Sequence, residues 1–176
     1  GMMRDLRDRG VQTVSITETY ITRPSRLFAP ALDSNLVGRR PDGSPYVMPD
    51  WWSCDGCDVA LLDITDPAAQ DWWWRQHPPF MGDEMAGLWT DLGEPEKHPT
   101  DMQHHLGTRD KVHNIYNFLW AQTLFENWRD WRPNQRLFNL TRSGFAGMQR
   151  YNTTVWSGDV NRNFEAFRLQ VPLLLN

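Results

Sequence analysis

The sequence has little with which to build a metal-held or cross-linked framework. It contains two cysteines in 176 residues, Cys54 and Cys57, both within SCDGC. Two thiols cannot complete a four-ligand zinc site without histidines. His98, His104 and His105 stand close together in HPTDMQHH, but at no spacing typical of a zinc family, so the cysteines read as a loop pair, oxidised or not. Long apolar runs are also missing. The longest tract, VPLLL at 171–175, is far short of the roughly 20 residues of a membrane span. There is no excess of basic charge: the net charge is −4 with both signs interspersed, which argues against a nucleic-acid surface. The first ten residues, GMMRDLRDRG, are polar and charged rather than a signal peptide, so both cytoplasmic and periplasmic locations stay open. The length suits one domain but falls short of the about 250 residues of a complete (β/α)8 barrel. No internal repeat or low-complexity segment occurs.

What is abundant is tryptophan, with ten residues. Indoles stack on the apolar faces of sugar rings, and they also build ordinary aromatic cores, so composition leaves both readings open. Along the chain, residues 2–9 read as a helix stopped by Gly10. The β-branched run VQTVSITETYI (11–21) reads as one strand. Residues 22–58 read as a long polar segment punctuated by Pro and Gly. PAAQDWWWRQH (67–77) reads as a helix with Pro67 in its first turn. AGLWTDL (86–92) is the next strand, followed by a polar loop over 93–108. In the stretch 111–131 the residues Val112, Ile115, Tyr116, Leu119, Trp120, Leu124 and Trp128 recur at helical spacing. Strands follow at 136–142 and 153–159, and the segment 161–175 reads as helix and then strand.

Strands thus alternate with helices, and loops after strands are longer than loops after helices. This is the pattern of βα units on a parallel sheet, in which active sites occupy the C-terminal ends of strands. Asp91, Arg142 and Asp159 all fall at such ends. Two aspartates facing one mouth suit glycoside hydrolysis. A retaining enzyme needs a nucleophilic carboxylate and a proton-donating carboxylic acid roughly 5–5.5 Å apart. The donor needs a raised pKa, and the nucleophile must stay ionised. Arg142 could hold Asp159 or a sugar hydroxyl through a bidentate contact, and Trp89 and Trp156 could line the ring. A single Asp at a strand end is ordinarily a helix cap or turn residue. Here each Asp follows a Trp by two or three residues, in LWTDLGEPE and VWSGDV.

At these residues the chain resembles glycoside hydrolase family 31. GLWTDLGEPE resembles the family's nucleophile motif. LTRSGFAGMQRYNTTVWSGDVN resembles its acid/base region, with Arg-Ser, Gly-x-x-Arg-Tyr and Trp-x-Gly-Asp in order. HNIYNFLWAQTLFENWR looks like the helix after the nucleophile strand, and LLDITDPAAQDWWW like the family's Asp-x-Thr-x-Pro segment. The resemblance implies that Asp91 is the nucleophile and Asp159 the acid/base. It implies that Arg142 and Trp156 wall the sugar site, and that Trp89 and Leu92 pack beside the nucleophile. Glu94 would support the site from behind, or serve only as a turn or capping acid. The DLGEPEKHP form is closer to the oligosaccharide 4-α-glucosyltransferase branch than to the DMNEP form of common α-glucosidases. The implied substrate is an α-linked oligosaccharide of glucose, xylose, galactose or a sulfated sugar, and the chemistry requires no metal or organic cofactor.

The family's substrate-binding Asp from an early strand, His from a late strand and N-terminal β-sandwich have no counterpart here. The expectation is therefore that residues 1–176 are the central part, roughly strands three to six, of a (β/α)8 catalytic domain. Hydrolysis and glucosyl transfer are both open, as is an inactive or merely sugar-binding piece.

Overall fold

The computed structural model describes residues 1–175. A four-stranded parallel sheet carries the architecture. Its strands are β1 (Thr13–Thr17), β5 (Met85–Thr90), β8 (Phe138–Thr141) and β9 (Thr153–Val155), in that spatial order. A second sheet is antiparallel, in the order β2 (Tyr20–Thr22), β4 (Cys57–Leu61), β3 (Val47–Trp51). A two-residue ladder joins β6 (Gln103–His104) to β7 (Gly107–Thr108). The helices are α1 (Met2–Asp8), α2 (Phe28–Asp33), α3 (Pro67–Trp74), α4 (His77–Met81), α5 (Arg109–Val112), α6 (Tyr116–Trp131) and α7 (Phe164–Leu175).

Local chemistry explains the helices that position the sheet. The Asp66 side chain caps α3 by accepting from the Ala68 amide at 2.9 Å, and Pro67 needs no partner in the first turn. On α6, Tyr116, Trp120, Leu124 and Trp128 recur every four residues and are all fully buried against the sheet and α3. Trp74 of α3 meets Trp131 of α6 edge to face at 5.9 Å. Along β5 the side chains alternate: Leu88 and Thr90 are buried, whereas Trp89 is exposed. Exposed Val14, Ile16 and Phe138 continue the open face on the neighbouring strands. The sheet thus has helices on one face and an apolar second face, as in one arc of an α/β barrel.

The structure corrects the sequence reading in three places. The run 11–21 is not one strand: the chain leaves the parallel sheet after Thr17 and joins the antiparallel sheet at Tyr20. Thr19 there supplies its carbonyl to the Leu62 amide. Residues 22–58 are not a loop. They contain α2 and β3 and lead into β4, whose alternating residues find their partners only through non-local pairing. The segment 161–175 contains helix α7 up to Leu175, with no terminal strand among the described residues. Cys54 and Cys57 form a disulfide, with Cα atoms 5.4 Å apart, at the turn between β3 and β4.

Gly87 lies in the middle of β5, where an added Cβ would run into the Phe138 carbonyl and side chain on β8. The obstacle is backbone on a paired strand and cannot swing away. Gly87→Ala should cost about 1–3 kcal/mol through overpacking. A chemical denaturation midpoint equal to that of the parent chain would contradict this.

Candidate active site at the strand ends

Asp91 follows β5, Arg142 follows β8, and Asp159 lies four residues beyond β9, so all three leave the same end of the parallel sheet. The Asp91 amide extends the β1 pairing by donating to the Thr17 carbonyl at 3.2 Å. The chain then turns sharply. Leu92 adopts a left-handed φ of +59°, and its amide donates to Asp91 Oδ1 at 2.8 Å. This turn folds residues 93–97 back towards the end of β8.

Arg142 is what the folded-back loop meets. Its Nε donates to Glu94 Oε1 at 2.6 Å, and its Nη2 donates to Glu96 Oε2 at 2.7 Å. Asp91 Oδ1 lies 3.5 Å from the same Nε. Arg142 therefore engages loop acids rather than Asp159, and among the described residues no hydrogen bond or ion pair joins Arg142 to Asp159. Burial alone would lower the guanidinium's pKa. The hydrogen bonds it donates to Glu94 and Glu96, with the Asp91 charge, reverse this and raise it. Asp159 is exposed, next to Gly158, whose φ of +77° lets the backbone pass along the Arg142 side chain. Trp89 and Trp156 meet edge to face at 5.6 Å, and Leu92 is buried beneath the turn.

Three residues near these groups were missed in the sequence reading. Glu96 is the second acid on Arg142. Glu18 sits just past β1, where the Thr17–Thr90 pairing carried one residue further sets it opposite Asp91. Burial first, then repulsion from Asp91 and Glu96, raise its pKa against the opposing effect of Arg142. The split of the 11–21 run hid its strand-end position. His113 precedes α6 and lines a polar cavity of about 300 Å³ with Glu94, Asn117 and Ser143.

Behind the loop is a chain of imidazoles. The Asp63 carboxylate contacts His104 Nδ1 at 3.0 Å, His104 Nε2 lies 2.7 Å from His98 Nε2, and His98 Nδ1 lies 3.0 Å from His113 Nδ1. Of the three histidines considered as zinc ligands, His98 and His104 come together as partners of each other. His105 offers Asp63 only its backbone amide. Among the described residues no cluster of three or more His, Cys, Asp or Glu could hold a metal ion. Burial, then the nearby His104, His113 and Arg109, push the His98 pKa from 6.5 down to about 3, against the opposing pull of Asp63. Burial and Arg109 also lower that of His113.

These depressed values make the fold acid-sensitive. Below pH 6.5 the unfolded chain protonates His98 while the folded chain does not, so stability falls as pH drops through that window. At pH 5 the loss from His98 alone should be about 2 kcal/mol relative to pH 7.5. Denaturant titrations at the two values should show it, and His98→Gln should remove most of the difference. An equal acid loss in that variant would show that other groups carry it.

Comparison with known proteins agrees with this architecture. The family model for the glycosyl hydrolases family 31 TIM-barrel domain matches residues 1–176. Alpha-glucosidase 2 of Bacillus thermoamyloliquefaciens is 25% identical over 188 aligned positions, covering 99% of this chain and 23% of that protein. The family 31 dextranase of Flavobacterium johnsoniae, solved with glucose, is 31% identical with a TM-score of 0.86. That match covers 98% of this chain and 22% of the dextranase. A family 31 alpha-xylosidase from a soil metagenome, solved with xylose, is 26% identical with a TM-score of 0.84, over 97% of this chain and 25% of that one. The chain thus spans about a quarter or less of the length of these relatives. Its strand order, the motifs at its strand ends and a family match over all 176 residues make it a member of glycosyl hydrolases family 31, lying within the family's TIM-barrel domain.

Proposed function

We propose that the protein carrying this chain is a retaining α-glycoside hydrolase that acts on α-linked oligosaccharides, with Asp91 as nucleophile and Asp159 as acid/base. The observation that carries the reading is the exit of Asp91, Arg142 and Asp159 from one end of one parallel sheet, on β5, β8 and β9. Both fixed contacts of Asp91, from the Leu92 amide and Arg142, fall on Oδ1. Oδ2 is then the oxygen that attacks.

In the first step Asp91 bonds to the anomeric carbon as the glycosidic C–O bond breaks, and Asp159 gives its proton to the departing oxygen. In the second, Asp159 takes a proton from water, the water oxygen bonds to the anomeric carbon, and the ester to Asp91 breaks. An acceptor sugar in place of water gives transfer. Trp89 and Trp156 would wall the ring, with Leu92 packing beside the nucleophile. Arg142 would hold the nucleophile's oxygen, and Glu94 would hold Arg142. Glucose is our first choice of sugar: an alpha-glucosidase and a dextranase solved with glucose are among the relatives, beside an alpha-xylosidase solved with xylose.

Two experiments on the full-length protein test this. With maltotriose, glucose and maltose are the expected products, and longer products would indicate transfer. Good turnover of an α-xyloside or α-galactoside, with none of any α-glucoside, would show that the sugar is wrong.

The aspartate roles are tested by substitution. Asp91→Ala should lose several orders of magnitude on every substrate, because nothing else can make the attack. Asp159→Ala should lose about 10²–10⁴-fold on a disaccharide. On a nitrophenyl glycoside it should instead give a burst of nitrophenol and a slow steady state, which azide accelerates because azide needs no general base. The opposite pattern would reverse the roles, and near-parental rates in both variants would sink the assignment.

A further inference from the structure

We propose that Asp63, His104, His98 and His113 form a one-way relay of neutral imidazoles that positions Glu94 and Glu96 against Arg142. The catalytic part of this role rests on the function proposed above; the relay itself does not. The chain of contacts has a direction. Asp63 is a pure acceptor, already bonded by the Thr65 amide at 3.1 Å, the Thr65 hydroxyl at 2.6 Å and the His105 amide at 2.7 Å. His104 must therefore donate to it from Nδ1, which leaves His104 Nε2 as an acceptor. His98 must then donate from Nε2 and accept at Nδ1, and His113 must donate from Nδ1. Each neutral imidazole has one donor and one acceptor; His104 and His98 use both, and His113 uses its donor.

The relay is attached to the site through a short tether. His98 lies two residues past Glu96 and four past Glu94. Between them the Lys97 amide donates to the Tyr20 hydroxyl at 2.7 Å, and Lys97 Nζ reaches the Pro49 carbonyl. Residues 94–98 are thus fixed at one end by Arg142, in the middle by the antiparallel sheet, and at the other end by two imidazoles. At the far end of the relay, His113 Nε2 remains an acceptor on the wall of the cavity that Glu94 also lines.

The neutral relay satisfies every contact. A protonated His98 has two N–H groups and no lone pair, so His113 would have to move its proton from Nδ1 to Nε2 to accept from it. The groups around it are His104 on its own loop, Asp63 after β4, Arg109 and Asp110 on α5, His113 before α6, and Tyr116 on α6. Arg109, the cation among them, opposes a further positive charge. Removal of the relay should release the tether and loosen both carboxylates from Arg142.

The test begins with the 176-residue chain labelled with ¹⁵N-histidine, where five imidazoles give a resolvable spectrum. At pH 7, His104 and His113 should carry the proton on Nδ1 and His98 on Nε2; His98 protonated on Nδ1, or averaging between tautomers, overturns the relay. With ¹⁵N-arginine, His98→Leu should speed exchange of the Arg142 Nε–H about tenfold or more. His98→Gln, which keeps one donor and one acceptor, should restore it to within about threefold. Parental exchange in a folded His98→Leu chain overturns the positioning role, and a variant that does not fold leaves the tautomer pattern as the deciding result. In the full-length protein His98→Leu should lower kcat/KM by about tenfold or more, and His98→Gln should recover it. Unchanged kcat/KM with a loosened Arg142 removes the catalytic half of the proposal. Full activity in Asp91→Ala instead defeats the functional reading and leaves the relay standing.

Discussion

A single guanidinium organises this strand-end region. Arg142 reaches from the end of β8 and holds Glu94, Glu96 and Asp91, which belong to the end of β5 and the loop after it. An exposed pair of this kind contributes little, because water competes and the side chains lose entropy on pairing. Arg142 is different in degree, since only 17% of its side chain is exposed and its planar fork binds two carboxylates at once. Loss of Arg142 would leave several carboxyl groups crowded together, with Glu18 adjoining them. The loop can take its course only with the cation in place.

That crowding fits the proposed chemistry. Four carboxyl groups, those of Glu18, Asp91, Glu94 and Glu96, surround one guanidinium. The transition state of glycoside hydrolysis has oxocarbenium character, so positive charge develops on the sugar. Fixed groups of opposite sign act most strongly when they are already oriented and need not reorganise during reaction. The hydrogen bond from the Leu92 amide and the ion pair with Arg142 supply that orientation for Asp91. Beneath them a buried polar layer holds the strands in register. Thr90 donates to Asn139, and Asn117 of α6 donates to Thr141 and the Ser143 carbonyl. Gly93 is packed so tightly on Asn117 that a side chain there would collide with it. The helix that covers the sheet therefore also fixes the turn after Asp91.

Much of this was legible in the sequence because the determinants are local. The helical spacing on α6, Pro67 in the first turn of α3 and the strand at AGLWTDL report the structure that forms at the same residues. The parallel sheet followed from the strand–helix order. What could not be read depended on distant partners. β3 and β4 hold register through Met48 against Val59 and Val47 against Ala60, and the turn residues between them dominate a linear reading. The split at Glu18 arises because two sheets claim the two halves of one β-branched run. The partner of Arg142 depended on the backbone sign at Leu92. A left-handed residue there turns the chain so that Glu94 and Glu96 meet Arg142 at the end of β8.

The two faces of the parallel sheet divide the labour. Leu88, Thr90, Asn139 and Thr141 point to the helices, and there substitution should register as lost stability. Val14, Ile16, Trp89 and Phe138 lie on the other face, where a (β/α)8 barrel stacks inward side chains in layers. Trp89 belongs to that inward set and also contacts Trp156 at the rim, so one side chain links the barrel interior to the wall of the proposed site. The strand ends are where the two demands meet. A residue such as Asp91 keeps its backbone in the sheet, through the Thr17 carbonyl, while its side chain leaves it. Rigid pairing up to the last strand residue, followed by a sharp turn, fixes a carboxylate more precisely than a loop alone could. The βα unit meets that geometric requirement with one sheet hydrogen bond and one left-handed residue.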